Sequence, residues 1–156
     1  MNGAELLSLD PVIPIATIER LEDAVPMARA VLKGGLRTLE VTLRTPVALD
    51  AIELIARELP GLTVGAGTVL GREQLDDVVA AGARFLATPG GTPRLLDDLE
   101  GSGLPFICGG STASEITVLL ERGIGEMKLF PVEASGGIGL VEALADGPRS
   151  VGELAA

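Results

Sequence analysis

The chain contains no histidine, no tyrosine and no tryptophan. Without imidazole there is no Ser-His-Asp or Cys-His nucleophile, no His-ligated zinc and no histidine general base. Acid–base chemistry must then use Asp, Glu, Lys or Cys, with or without bound water. A single cysteine, Cys108, leaves no internal disulfide and no multi-cysteine metal site. Phenylalanine, present three times, is the one aromatic type, so stacking platforms for bases are missing. Acidic residues outnumber basic ones 22 to 12, and the net charge of -10 repels phosphate backbones; nucleic acid is excluded as a partner. Lysine occurs only as Lys33 and Lys128. No apolar run is long enough to cross a membrane, and Met1 to Asp10 carry Glu5 without a basic leader segment, so the expectation is a cytoplasmic protein with no membrane partner.

What is present is a chain of 156 residues with mean hydropathy +0.44, enough for one well-buried domain over residues 1–156. Short apolar runs at Val12 to Ala16, Thr38 to Leu43, Leu62 to Ala66, Arg84 to Ala87, Leu104 to Ile107 and Glu126 to Phe130 predict six strands. Between them, Leu21, Ala24, Val25, Ala28 and Leu32 keep helical spacing, as do Leu75, Val78 and Val79, and then Ile116, Leu119 and Leu120. Gly34, Gly61, Gly82, Gly101 and Gly123 fall between a helix and the next strand, where a left-handed cap is expected. The recurrence predicts six βα units in a parallel sheet.

Three segments share one layout: Gly35 to Glu40, Gly82 to Ala87 and Gly123 to Lys128, in strands two, four and six. Glu40 and Lys128 then occupy equivalent positions. The second strand alternates Thr38, Glu40, Thr42 and Arg44 with Leu39, Val41 and Leu43. Helices would cover the apolar side, and the polar side suits the interior of a closed barrel, whereas a strand in an open doubly wound sheet should be apolar on both faces. The α/β class is therefore read as a TIM-type (βα) barrel, incomplete with six units, since eight units typically take about 200 residues or more.

Lys128 lies among apolar neighbours in Met127-Lys128-Leu129-Phe130. In a barrel interior an amine taken out of water is biased toward its neutral, nucleophilic form. With Glu40 facing it as a proton shuttle, the pair is the minimal equipment for Schiff-base chemistry on a ketone; a buried structural ion pair fits the same spacing. Arg44 either grips a carboxylate with two hydrogen bonds or is a solvated loop residue. Val64-Gly65-Ala66-Gly67-Thr68 lets backbone approach a ligand but lacks the dinucleotide fingerprint. Cys108 reads as a small core residue before a reactive thiol, and Lys33 as a cation at a helix C-terminus.

Four ordered motifs, Leu39-Glu40-Val41-Thr42-Leu43-Arg44-Thr45, Val64 to Val69, Thr88-Pro89-Gly90 and Lys128-Leu129-Phe130-Pro131-Val132-Glu133-Ala134, resemble the 2-keto-3-deoxy-6-phosphogluconate and 4-hydroxy-2-oxoglutarate aldolases. The resemblance runs from Pro11 to about Pro148 and takes in Ala24-Val25-Pro26-Met27-Ala28. It implies a class I aldolase in a TIM barrel, a homotrimer acting on a small 2-keto acid without metal or cofactor. It makes Lys128 the Schiff-base lysine and Glu40 the general acid/base. Arg44 and Thr68 become binders of the pyruvyl carboxylate, with Pro89 and Phe130 lining the pocket. The family's last two βα units, which carry its phosphate-binding loops, have no counterpart after Gly147-Pro148, so the expectation is a domain truncated at its C-terminus. A 4-hydroxy-2-oxoglutarate aldolase and a truncated, non-catalytic subunit are the alternatives.

Overall fold

The computed structural model describes residues 1–139; the expected stop after Pro148 lies outside them. Helix α1 (Gly3–Leu7) leads to strand β1 (Ile15–Ala16), and five more units follow: α2 (Ala24–Lys33), β2 (Thr38–Thr42), α3 (Ala48–Glu58), β3 (Thr63–Gly67), α4 (Arg72–Ala80), β4 (Leu86–Thr88), α5 (Pro93–Gly101), β5 (Phe106–Gly110), α6 (Ala113–Glu121) and β6 (Met127–Leu129). All five strand pairings are parallel, and the order across the sheet is the order in the chain. No helix among the described residues is long and apolar enough to cross a membrane.

The sheet is curled into part of a barrel. In a flat sheet, strand spacings of about 4.8 Å would hold β2 and β6 roughly 19 Å apart, more than Glu and Lys side chains can bridge. Yet Glu40 on β2 and Lys128 on β6 approach to 3.8 Å. The register carries the same message. Lys128 lies opposite Gly109, Cys108 opposite Thr88, Ala87 opposite Gly67 and Gly67 opposite Thr42. Followed from strand to strand, these pairs bring position 128 level with position 44, a slip of four residues from position 40 over four strand steps. One residue per strand is the stagger of a barrel of eight strands and shear eight.

Alternation along β2 sorts the two faces. Leu39 and Val41 are buried in the main apolar cluster with Ala28, Ile52 and Ile55 of the covering helices, and Val64, Ala66 and Leu86 join the same layer. A smaller cluster of Leu6, Phe85 and Ile107, with Leu9 and Ile13 packed against it, fills the barrel at the end where the strands begin. Helix α1 supplies Leu6 to this floor. The reading of the first ten residues missed it, although the signal was present: Asn2 and Glu5 form a reciprocal capping box.

Two sequence expectations need correction. Strands β4 and β5 end one and three residues later than expected, because Gly109 and Gly110 let β5 continue against the Pro89 backbone. Between a helix and the next strand the left-handed glycines are Gly35, Gly82, Gly103 and Gly123, not Gly34, Gly61 and Gly101. At three of these helix ends the amide beyond the glycine reaches back to the last turn, Leu36 to Val31, Ala83 to Val78 and Ile124 to Leu119. The conformation therefore belongs one residue past the cap.

Asp10, almost fully buried before β1, ties that segment to β2 by accepting hydrogen bonds from the Arg37 amide at 2.7 Å and the Thr38 hydroxyl at 2.6 Å. Burial pushes its carboxyl up, but the bonds from Thr38 and Arg37 outweigh it and hold the group below the usual carboxylate range. Its contribution to stability is then complete above that range and fades as pH falls through the folded-state value. Asp10→Ala, which strands a buried hydroxyl and amide, is expected to lower unfolding free energy by about 1–3 kcal/mol at neutral pH. The gap from the parent should narrow in acid, as urea titrations at several pH values would read.

Candidate active site

The residues singled out from sequence collect on the inward face and at the strand ends. Barrel interiors fill in layers contributed by alternate strands, and Glu40, Ala87 and Lys128 on β2, β4 and β6 are such a set. Lys128 Nζ is 3.8 Å from Glu40 Oε1, and the Glu40 side chain is 7% exposed against 26% for Lys128. The amine also sits 5.4 Å from the centroid of the Phe130 ring, within cation–π range. Burial raises the Glu40 carboxyl above its ordinary range, opposed in part by the charges of Lys128 and Arg44.

Arg44 is exposed and lies beyond β2, which ends at Thr42, so its place on the polar side is set by a turn and not by the pleat. It stands close enough for its charge to act on Glu40, without an ion pair between them. Thr68 follows β3 with φ of 64°, a left-handed conformation that β-branched residues rarely adopt and that clusters at functional sites. Pro89 is half-buried just past β4, its carbonyl packed on Gly109. Phe130 is 37% exposed beyond β6. These four surround the strand ends from which Lys128 and Glu40 project.

Cys108 is fully buried and belongs to the helix-facing layer, where it accepts a hydrogen bond from the Thr88 hydroxyl at 3.3 Å. Burial pushes its thiol up, so Cys108 is a core residue and not a nucleophile. Lys33 ends α2, exposed, as a cation at a helix C-terminus. A groove of about 570 Å³ between the starts of α4 and α5 includes Arg72, Arg94 and Asp98. It holds no lysine or cysteine, and Asp76 and Asp98 already engage the Arg72 guanidinium at 3.1 and 3.5 Å.

Sequence reasoning passed over two features of the site. Thr17 and Thr42 hydroxyls meet at 3.0 Å where β1 and β2 end, with Thr42 also within reach of the Ala16 carbonyl. Gly65 and Gly67 do not leave open space. A side chain at Gly65 would overlap the Phe85 ring, and one at Gly67 the Glu40 carboxylate.

A family model for KDPG and KHG aldolase matches residues 4–152. KHG/KDPG aldolase of Escherichia coli K12 is 48% identical over 149 residues, 96% of this chain and 70% of that protein. 2-Dehydro-3-deoxy-phosphogluconate aldolase of Dickeya dadantii is 48% identical over 144 residues, 92% of this chain and 68% of that one. Among solved structures, KDPG aldolase from Legionella pneumophila, with pyruvate captured as a covalent carbinolamine, superposes with a TM-score of 0.90. It is 44% identical and the match covers 94% of this chain and 71% of the other. By sequence and by fold, this chain belongs to the KDPG and KHG aldolase family.

Proposed function

We propose that this chain is a class I aldolase, a lyase that splits 2-keto-3-deoxy-6-phosphogluconate into pyruvate and glyceraldehyde 3-phosphate through an imine on Lys128. The observation that carries the reading is the Lys128 amine 3.8 Å from a buried carboxylate of raised proton affinity inside the barrel. The carbinolamine held by the Legionella relative supports it.

In this reading the Lys128 nitrogen attacks the C2 ketone, and Glu40 hands a proton to the departing hydroxyl, so that water leaves and an iminium forms. Glu40, now a carboxylate, takes the proton of the C4 hydroxyl directly or through a water. The C3–C4 bonding pair moves into the iminium, giving an enamine and free aldehyde. Proton return to C3 and addition of water to C2 release pyruvate and regenerate the amine. Burial suits Glu40 to both directions of transfer, since a carboxyl raised toward the working pH gives and takes protons with comparable ease. Arg44 and Thr68 hold the pyruvyl carboxylate, while Pro89 and Phe130 wall the pocket. The same reading takes residues 1–156 as one domain, cytoplasmic and homotrimeric, with exposed Leu7, Val118 and Leu120 offering apolar surface to neighbouring subunits.

The Escherichia coli relative carries both names, KHG and KDPG, so 4-hydroxy-2-oxoglutarate is the second substrate to test; its pyruvyl half is shared. Purified protein is expected to release pyruvate from 2-keto-3-deoxy-6-phosphogluconate in a dehydrogenase-coupled assay, with cleavage of 4-hydroxy-2-oxoglutarate as the comparison. A folded chain releasing pyruvate from neither would overturn the proposal.

A further inference from the structure

Strand β3 reads Thr63-Val64-Gly65-Ala66-Gly67, and its two glycines lie on the inward side of the sheet. Each is filled by a neighbour. A Cβ built on Gly65 would overlap the ring of Phe85, the residue just before β4. One built on Gly67 would overlap the carboxylate of Glu40 from β2, with Glu40 Cδ and Cγ at 2.6 and 2.7 Å. Gly67 is opposite Thr42, one pleat beyond Glu40, so the Glu40 side chain leans along the barrel axis, across the bare backbone of β3, to reach Lys128. Unlike the left-handed glycines, Gly67 does not have a positive φ. Its backbone conformation is open to any residue, and what the position requires is the absence of a side chain.

We infer that Gly67 is a positioning residue: the empty volume above it is the seat of the Glu40 carboxylate, and filling it moves the proton shuttle away from Lys128 while leaving the lysine in place. The inference rests on the reading of Glu40 as the shuttle. It differs from the usual account of glycines in such a strand, in which bare backbone is kept for a ligand to approach. Here the group that needs the space belongs to the protein. The atoms that must yield run from Glu40 Cγ outward and include no backbone, so the strain is relieved by rotating the Glu40 side chain and not by moving the sheet. A displacement of about 1 Å in a catalytic group costs on the order of 100-fold.

The test is Gly67→Ala, alone and combined with Glu40→Ala and with Glu40→Gln. Alone, it is expected to lower kcat for cleavage at least tenfold with less than about threefold change in KM, while borohydride still traps pyruvate on Lys128 to the parent extent. The acid limb of the kcat profile should move, because the carboxylate has left its buried seat. In the Glu40→Gln background, where no carboxylate remains to be moved, adding Gly67→Ala should change kcat less than twofold. Equal losses in both backgrounds would show that Gly67 acts on something other than Glu40.

Melting temperature gives a reading independent of turnover. Gly67→Ala should lower it in the parent but not in the Glu40→Ala background, where the overlapping atoms are gone. If Gly67→Ala alone does not fold, the combination with Glu40→Ala should; failure of both, or equal destabilisation in both, overturns the inference. Loss of the shuttle reading itself would appear differently, as a Glu40→Gln variant that cleaves normally while the melting cycle still couples positions 40 and 67.

Discussion

Borohydride added to the protein in the presence of pyruvate is expected to fix a single pyruvyl adduct on Lys128, found by peptide mass mapping, and to inactivate the enzyme in proportion. The chain offers a sharp control because its only other lysine, Lys33, is exposed at the C-terminus of α2, at the end of the barrel where β2 begins and not where the site opens. Both carry a primary amine, so selective labelling reports environment and not residue type. Lys128→Arg retains a cation beside Glu40 and Phe130 but cannot form the imine. It should fold with nearly unchanged stability, take no label and lose cleavage by about 1,000-fold or more, as removal of a covalent nucleophile does. Adduct on Lys33, or none, would return Lys128 and Glu40 to the status of a buried structural ion pair.

Replacement of Glu40 by glutamine should separate binding from proton transfer. The amide nearly preserves shape, so the pocket above Gly67 stays filled and the imine still forms, though more slowly. Cleavage, and exchange of pyruvate methyl protons with solvent, should fall about 100-fold, the usual contribution of a general acid/base. The parent should also lose kcat at low pH, where Glu40 stays protonated and cannot take the proton of the C4 hydroxyl. Because burial holds the group above the ordinary glutamate range, that limb should lie at correspondingly higher pH, and Glu40→Gln should abolish it. Proton exchange at the parental rate in the variant would reassign the shuttle.

Much of the fold was legible because its signals are local. Apolar runs between capped helices mark all six strands, and the alternation in Thr38 to Thr42 distinguishes a polar interior from a helix-covered exterior. What escaped depends on curvature. Gly67 is 27 residues from Glu40 in sequence, and nothing in a period of two or 3.6 says that one must be bare for the other to fit. Phe85 and Leu6 meet at the floor for the same reason, across almost 80 residues. Arg44 was placed by extending the pleat two residues beyond the strand that carries it, and the turn after Thr42 is what locates it. Helix α1 was legible in principle, since Asn2 and Glu5 spell its cap; five residues are simply too few to show periodicity.

The shared layout of the three even-numbered segments has a consequence for how such an enzyme changes. In each, a left-handed glycine, Gly35, Gly82 or Gly123, is followed five positions later by the inward residue of the layer, Glu40, Ala87 or Lys128. The glycine acts as the zero mark of a ruler. Rewriting the residue at the fifth mark exchanges acid, spacer or amine without disturbing the helix before it or the ladder around it, so the reactive layer is open to substitution. Lengthening the interval by one residue would turn that mark outward into the aliphatic layer, burying a charge and emptying the site together. Variation in this barrel is therefore free in identity and locked in count, and a family built on it should diversify by exchange of side chains at fixed intervals, never by slippage within them.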